Sequence, residues 1–211
     1  GIGSGLSMAY LGSSHYGLED VSIMRAIPNM AVLSPADGAE IVKTVFAAAD
    51  YPYPVYIRLT GGANNPVVYK EDYVFEIGRA VKLQEGEDIG IIATGTMVYQ
   101  SLKASEILRE NGISATVIDM HTIKPLDTQI IDEIMNHKLI VTVEEHSVIG
   151  GLGSAVSEYL SQKLKHPPHL IIGIEDFFPK AGDYQYLLEQ CGLTPRQITD
   201  KILSKVDRYV S

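Results

Sequence analysis

Residues 89–118 read IGIIATGTMVYQSLKASEILRENGISATVI, and this stretch decides the fold. It opens with a short β-branched run, Ile89–Ala93, which predicts a strand buried on both faces. After a Thr-Gly-Thr turn, Val98–Glu110 carries apolar residues at helical spacing, and Gly112 stands where helices commonly end in a left-handed glycine. A second β-branched run, Ser114–Ile118, follows. Strand, helix and strand in this order predict an α/β fold with a mainly parallel sheet.

The same alternation extends over the rest of the chain. Further buried strands are predicted at Met30–Leu33, Val55–Arg58, Leu139–Val143 and Leu170–Ile174. Helices are predicted at Leu18–Ala26, Asp37–Ala49 and Ala155–Leu164, with Asp37 and Asp127 at N-cap positions. We therefore expect a three-layer α/β fold in which mostly parallel sheets carry helices on both faces.

One segment, Thr60–Pro66, interrupts this pattern with glycines, asparagines and a proline, a composition typical of a linker. Residues 1–66 are about half the usual size of a domain, whereas residues 67–211 lie within the usual range. We expect the first segment to be a domain truncated at its N-terminus and the second to be complete. Residues 71–211 are expected to fold independently.

The composition excludes several classes of function. Seventeen basic and twenty-six acidic residues give a formal net charge of −9, which disfavours nucleic acid as a partner because it repels phosphate. No apolar run reaches the roughly 18 residues of a membrane span. The single cysteine, Cys191, excludes an internal disulfide and fits the reducing cytoplasm. The first residues lack an initiator Met and the features of a signal peptide, so we expect the chain to begin inside a longer one.

A histidine near the N-terminus is the main candidate for chemistry. His15 lies in the run Gly-Ser-Ser-His-Tyr-Gly, just before a predicted helix. Loop histidines among small polar residues are placed to meet ligands, and imidazole exchanges protons near neutral pH. The alternative is a surface histidine whose side chain bonds only to backbone.

Ordered motifs along the chain resemble those of transketolases. Those of the first segment resemble the C-terminal half of the pyrimidine-binding domain, and those of the second resemble the transketolase C-terminal domain. Deoxyxylulose-phosphate synthases and β-subunits of 2-oxo-acid dehydrogenases share them more loosely. The motifs are His15, Leu18–Met30, Ser34–Asp37, Pro54–Arg58, Ala93–Met97, Ile118–Asp127 and Val143–Ser154.

The resemblance implies a transferase of carbohydrate metabolism, such as the pentose phosphate pathway. A two-carbon ketol unit would pass from a ketose to an aldose by way of thiamine diphosphate with Mg²⁺. The cofactor ligands are expected upstream of Gly1 and on a diphosphate-binding N-terminal domain or subunit, so this chain alone is expected to be inactive and to hold no metal. The implied assembly is a homodimer or heterotetramer.

His15 is the residue that the resemblance implies to be catalytic and substrate-binding. It matches the family histidine that reaches the C1 hydroxyl and the carbonyl oxygen of the ketose donor. An imidazole in that place can stabilise the oxygen and move its proton.

Three positions depart from the family's substrate contacts. Leu11 stands where an aspartate that contacts a sugar hydroxyl is expected, and Gly3 and Gly61 stand where phosphate contacts are expected. Arg58 lies near the last of these but inside a strand, where we expect a structural ion pair. Two other functions stay open: a 2-oxo-acid dehydrogenase β-subunit or deoxyxylulose-phosphate-synthase-like enzyme, and a non-catalytic assembly or ligand-sensing module.

Other polar motifs favour structural roles. The glycine turns at Thr94–Thr96 and Gly150–Gly153 could hold an anion, but tight packing between strand and helix is the favoured interpretation. Glu144-Glu145-His146 is expected to diverge, because neighbours on a strand point to opposite faces. His166 and His169 are expected to be exposed, and His121 and Lys124 are expected to have no catalytic role. Phe177-Phe178 is expected to lie in the core or at an interface.

Overall fold

The computed structural model describes residues 4–59 and 65–210, and side chains up to residue 206. Gly3, Gly61 and most of the predicted linker, residues 60–64, lie outside the described residues. None of the helices in the described ranges is long and apolar enough to cross a membrane.

Eight strands and seven α-helices make up the described chain. The strands are β1 (Ala31–Leu33), β2 (Val55–Ile57), β3 (Val81–Gln84), β4 (Ile89–Ala93), β5 (Ala115–Asp119), β6 (Thr122–Lys124), β7 (Leu139–Ser147) and β8 (His169–Ile174). The helices are α1 (Asp20–Ala26), α2 (Gly38–Ala49), α3 (Met97–Glu110), α4 (Thr128–Glu133), α5 (Leu152–Leu160), α6 (Tyr184–Cys191) and α7 (Pro195–Val210).

The larger sheet has the strand order β3-β5-β4-β7-β8. Strands β5, β4, β7 and β8 are parallel neighbours, and β3 pairs with β5 as an antiparallel edge. Helices cover both faces, because β4 sends Ile89 and Ile91 into a core cluster with α3, α6 and α7, and Ile92 into a cluster with α4 and α5. The predicted three layers and mostly parallel sheet are confirmed.

The smaller sheet, β2-β1-β6, joins the two segments. Strand β1 pairs in parallel with β2 and antiparallel with β6, although β6 follows the predicted linker in sequence. The sequence does not predict β3 or β6. Each is only three or four residues long, so pairing with a neighbour, rather than its own pattern, makes it a strand.

Local signals at the helix ends are confirmed. The side chain of Asp37 accepts a hydrogen bond from Glu40 N (2.9 Å), and that of Asp127 accepts one from Gln129 N (3.1 Å). Gly112 follows α3 with a φ of +78°, a conformation that glycine adopts without strain.

Helix α5 differs from the prediction at both ends. It begins at Leu152, three residues early, and ends at Leu160 instead of Leu164. The carboxylate of Glu144 accepts hydrogen bonds from Leu152 N (2.7 Å) and Gly153 N (2.8 Å) and so satisfies the first turn. The acceptor lies on the preceding strand β7, eight positions before Leu152 and outside the usual N-cap position, so a local capping pattern does not signal it.

The expected exposure is correct for His166 and wrong for His169. The two ring nitrogens of His169 each lie 3.0 Å from a hydroxyl, Thr142 Oγ1 and Ser157 Oγ, and burial lowers its pKa to about 4. Phe177 and Phe178 are 42% and 77% exposed, so they are not part of the core.

Candidate functional site

His15 lies on an exposed loop of the first segment. It ends the single-turn 3-10 helix Ser13–His15, which is closed by the hydrogen bond from His15 N to Gly12 O (2.9 Å). Its Nδ1 shares a 3.0 Å hydrogen bond with Ser14 Oγ. With Nδ1 engaged by this serine, Nε2 is the nitrogen that can meet a ligand.

Two glycines close the loop that carries His15. Gly5 N donates to Gly17 O (2.8 Å), and Gly17 N donates to Gly5 O (3.3 Å). Within the loop, Leu6 and Tyr16 are buried. We call residues 5–17 the histidine loop. The base of the loop is therefore bonded and buried, whereas residues 13–15, which carry the imidazole, are exposed.

A carboxylate from the second segment supports the histidine loop. Glu145 on β7 is 1% exposed, and its Oε1 accepts a hydrogen bond from Leu6 N (2.6 Å). Its Oε2 accepts one from Thr96 Oγ1 (2.6 Å) and another from the Tyr184 hydroxyl. One side chain therefore joins the histidine loop to the β4–α3 turn and to α6.

Arg58 forms a buried ion pair, as predicted. Its Nε donates to Asp20 Oδ2 at 2.9 Å, and the side chains of Arg58 and Asp20 are 2% and 4% exposed. Its Nη2 donates to Gly17 O and to Glu145 O, both at 2.9 Å. Burial alone would raise the pKa of Asp20, but attraction to Arg58 and hydrogen bonds from Arg58 and Tyr56 lower it. The guanidinium thus holds α1, the histidine loop and β7 together.

The glycine turn before α5 is packed tightly, as favoured by the sequence analysis. The amides that could bind an anion, Leu152 N and Gly153 N, already donate to Glu144. A Cβ at Gly151 would overlap that carboxylate. Burial raises the pKa of Glu144 to about 7, against the opposing effect of these amides.

The turn before α3 is also committed to the fold. Gly95 N donates to Ser34 O (3.1 Å), and Thr94 Oγ1 donates to Met120 O (2.9 Å). Thr96 Oγ1 is the donor to Glu145. This turn therefore links the two segments.

Glu145 points away from Glu144 and His146, as strand geometry predicts, whereas Glu144 and His146 share a face, with Glu144 Oε2 and His146 Nδ1 3.6 Å apart. Glu144 turns to α5 and Glu145 to the histidine loop, whereas His146 Nδ1 donates to Ser147 O (2.8 Å). Burial and then repulsion by Arg58 lower the pKa of His146 to about 4. Among the described residues, no three His, Cys, Asp or Glu side chains converge to hold a metal ion.

The other sequence candidates occupy different places. Leu11 is 53% exposed on the histidine loop. His121 is buried and stacked on Phe75, with ring centroids 4.2 Å apart, and burial lowers its pKa to about 4. Lys124 Nζ donates to two backbone oxygens of the first segment, on Arg25 and Ile27.

Sequence reasoning missed the support beneath the histidine loop. Glu145 and Thr96 both stand in motifs shared with the family, and two carboxylates ending a β-branched run are a signal of buried polar contacts. Tyr184 carries no such signal, because it lies 39 positions from its partner Glu145.

Comparisons with known proteins agree over both segments. The profile of the transketolase pyrimidine binding domain matches residues 2–65, and that of the transketolase C-terminal domain matches residues 78–198. A "Putative transketolase C-terminal section" of Methanocaldococcus jannaschii is 41% identical over 207 residues, 97% of this chain and 65% of that protein. An apulose-4-phosphate transketolase subunit of Phocaeicola vulgatus is 39% identical over 210 residues, 99% of this chain and 66% of that protein. A 1-deoxy-D-xylulose-5-phosphate synthase of Caldanaerobacter subterraneus is 39% identical over 195 residues, 92% of this chain and 31% of that protein.

Solved structures agree with this match. A split-gene transketolase, described as an inactive β4 tetramer, superposes with a TM-score of 0.84 at 42% identity, covering 91% of this chain and 62% of that chain. Campylobacter jejuni transketolase, at 22% identity and a TM-score of 0.72 over 96% of this chain and 30% of its own, shares the fold. The chain spans about two thirds of the length of the section and subunit relatives. Because domain profiles match both segments and these relatives match nearly the entire chain, the chain belongs to the transketolase family.

Proposed function

We propose that this chain is the C-terminal section or subunit of a transketolase, which transfers a two-carbon ketol unit from a ketose donor to an aldose acceptor. The observation that carries the proposal is its alignment along nearly the full chain with a transketolase C-terminal section and with a separate transketolase subunit. In this proposal, residues 1–66 are the C-terminal part of a pyrimidine-binding domain, and residues 67–211 are the transketolase C-terminal domain.

The proposed boundary has its own test. Strand β2 lies at an open edge of the smaller sheet in the described chain, beside a pocket of about 440 Å³ lined by Ile23, Met24 and Leu59. This edge fits a domain that continues upstream. Limited proteolysis should cut first within residues 60–66; a first cut within residues 89–174 would contradict the boundary.

The proposed cofactor is thiamine diphosphate with Mg²⁺, held upstream of Gly1 and by a diphosphate-binding N-terminal domain or subunit in the cytoplasm. Two relatives are named as transketolase subunits, which supports a partner chain for this protein. We propose a homodimer or a heterotetramer for the assembly. This chain by itself should bind no thiamine diphosphate. Micromolar binding in calorimetry would contradict that division of the site.

His15 is the proposed substrate-binding and catalytic residue of this chain. Its exposure on a loop tied at the base allows the imidazole to reach a ligand while its backbone stays fixed. There its Nε2 would donate a hydrogen bond to the donor's carbonyl oxygen, which gains negative charge in the reaction, and could pass its proton to that oxygen.

The donor's sugar, and its phosphate where present, would be held differently from the family pattern, because Leu11, Gly3 and Gly61 stand where the family's contacts are expected. Leu11 is an exposed apolar residue on the same loop as His15, so it offers no carboxylate to a sugar hydroxyl. A second candidate, a deoxyxylulose-phosphate-synthase-like reaction with a 2-oxo-acid donor, is favoured by the 39% identity to such synthases.

The complete protein, with its upstream residues and partner subunit, tests these proposals. Supplied with thiamine diphosphate and Mg²⁺, it should form new sugars from a panel of ketoses and aldoses. Product from pyruvate but from no ketose would favour the second candidate. His15→Ala should lower kcat by about 10²–10³ at unchanged melting temperature. His166→Ala, which removes another exposed histidine, is the matched control and should leave kcat unchanged.

A further inference from the structure

We propose that Glu145 is a positioning residue for His15: its buried carboxylate fixes the histidine loop, so that the C-terminal domain sets the place of a residue in the other domain. The effect on turnover rests on the proposed function of His15. The fixing of the loop rests on contacts within the described chain alone.

The first step is the contact between carboxylate and loop. Glu145 Oε1 accepts a hydrogen bond from Leu6 N at 2.6 Å, between residues 139 positions apart. Leu6 is fully buried, so its amide has no water to replace this acceptor. Loss of the carboxylate would leave the amide unpaired and release this end of the loop.

The second step is that the carboxylate itself is held in place. Thr96 Oγ1 and the Tyr184 hydroxyl both donate to Glu145 Oε2. These donors come from the β4–α3 turn and from α6 of the C-terminal domain. Oε1 is therefore presented from a rigid part of the molecule.

The third step carries position from Leu6 to His15. Leu6 follows Gly5, which is bonded on both its N–H and its carbonyl to Gly17, two residues after His15. Arg58 Nη2 donates hydrogen bonds to both Gly17 O and Glu145 O, and so joins the end of the loop to β7. A displacement at Leu6 is thus transmitted through Gly5 and Gly17 to the turn that holds the imidazole.

The space around Gly5 agrees with this role. A Cβ at Gly5 would overlap Glu145 Oε1, and the residue has a φ of +60°. The loop backbone and the carboxylate therefore approach as closely as a residue without a side chain allows.

Glu144 provides a matched comparison. It lies on the same strand and is equally buried, and it accepts two backbone hydrogen bonds where Glu145 accepts one, but its donors belong to α5. If Glu145 were only a buried structural acid, Glu144→Ala and Glu145→Ala would have the same consequences for turnover.

The experiment uses the complete enzyme, and compares Glu145→Ala, Glu145→Gln and Glu144→Ala by hydrogen exchange and steady-state kinetics. Glu145→Ala should speed exchange in residues 5–17 about tenfold and lower kcat on the order of 10²-fold, as small misplacements of a reacting group do. Glu145→Gln keeps an oxygen that can accept from Leu6 N, so its exchange rate in residues 5–17 and its kcat should lie close to those of the wild type. Glu144→Ala should speed exchange in α5 and leave kcat within about twofold.

A double variant tests whether Glu145 acts through His15. In the His15→Ala background, Glu145→Ala should lower kcat little further, because the group that it positions is absent. Multiplicative losses, unchanged exchange in residues 5–17, or an equal loss of kcat in Glu144→Ala would each overturn the proposal. Should Glu145→Ala fail to fold, Tyr184→Phe, which removes one donor to Oε2, should show the same effects at smaller size.

Failure of the proposed function gives a different result. A wild-type enzyme without ketol transfer, or a fully active His15→Ala variant, would contradict the role of His15. Hydrogen exchange in Glu145→Ala would then still decide whether this carboxylate holds the loop.

Discussion

Two buried polar junctions hold the segments together, and they neutralise acid side chains in different ways. The first, which we call the arginine junction, comprises Asp20, Arg58 and Glu145 beneath the histidine loop. The second, the carboxyl junction, comprises Glu40, Asp119, Tyr69 and Tyr73, where α2 meets β5. In the arginine junction a guanidinium balances the acid, whereas in the carboxyl junction two acids face each other.

The carboxyl junction buries two acids, each of which accepts a hydrogen bond from a tyrosine hydroxyl. The Tyr69 hydroxyl donates to Asp119 Oδ2 (2.8 Å), and the Tyr73 hydroxyl donates to Glu40 Oε1 (2.6 Å). Burial and then repulsion by Glu40 raise the pKa of Asp119 well above its ordinary value, and burial raises that of Glu40. The comparison teaches that an arginine makes a junction independent of pH near neutrality, whereas two buried acids with raised pKa values make its stability depend on pH.

Arg58→Met should break the arginine junction and have the largest effect on stability. It would leave the carboxylate of Asp20 buried without its cation, which typically costs about 3–5 kcal/mol. Chemical denaturation of the full chain measures this loss. Arg196→Met, which removes an exposed arginine paired with Asp200, should change the free energy of unfolding by no more than about 0.5 kcal/mol. Equal losses in the two variants would contradict the account.

Gly5→Ala should disturb the same junction from the loop side. An alanine would adopt a φ of +60° and overlap Glu145 Oε1, so we expect a loss of about 2–4 kcal/mol, part from backbone strain and part from overpacking. Gly112→Ala is the control: its φ is +78°, but its Cβ would meet nothing within 4 Å. It should lose only the strain, about 1–2 kcal/mol. A Gly5→Ala variant no less stable than Gly112→Ala would contradict the close approach.

Asp119→Asn should reduce the pH dependence that the carboxyl junction imposes. A raised pKa means that the folded state holds a proton that unfolding releases, so this contribution to stability falls as pH rises from about 4. Asparagine does not titrate, and its amide can donate to Glu40 while its oxygen accepts from Tyr69. Between about pH 5 and 8, the free energy of unfolding should fall less steeply with pH in the variant than in the wild type. The two slopes should differ by at most about 1.4 kcal/mol per pH unit, the contribution of one titrating group.

The control for this slope is Asp88→Asn. Hydrogen bonds from Lys138 and Ser114 lower the pKa of Asp88 to about 2, so it does not titrate between about pH 5 and 8. Its variant should run parallel to the wild type. A parallel curve for Asp119→Asn as well would show that no proton is held at the carboxyl junction.

Tyr73→Phe should have the smallest effect. It removes one hydroxyl donor to Glu40 but keeps the ring, which stacks on Tyr69 with centroids 4.1 Å apart. We expect a loss of about 1 kcal/mol in thermal or chemical unfolding. Tyr53→Phe, at a residue that is 55% exposed, should lie within about 0.5 kcal/mol of the wild type. No difference between the two variants would remove this hydroxyl from the junction.

The candidate site was predictable to different degrees. The composition of the loop around His15 and the position of Arg58 in a predicted strand are both visible in the local sequence. The ion pair with Asp20 confirms the structural role predicted for Arg58. The divergence of Glu144 and Glu145 also follows from strand geometry. Their partners do not, because Leu6 lies 139 positions from Glu145 and the amides of α5 lie beyond the range of local capping patterns.

The sequence by itself determined the layered α/β order, the main strands and the N-caps at Asp37 and Asp127, because periodicity and capping act between residues a few positions apart. Only the tertiary structure decided that β6 pairs with β1, that His169 is held by two hydroxyls and that Glu145 bonds Leu6. These contacts join distant residues in a buried interior, where each polar group must find a partner. No local pattern specifies which partner that is.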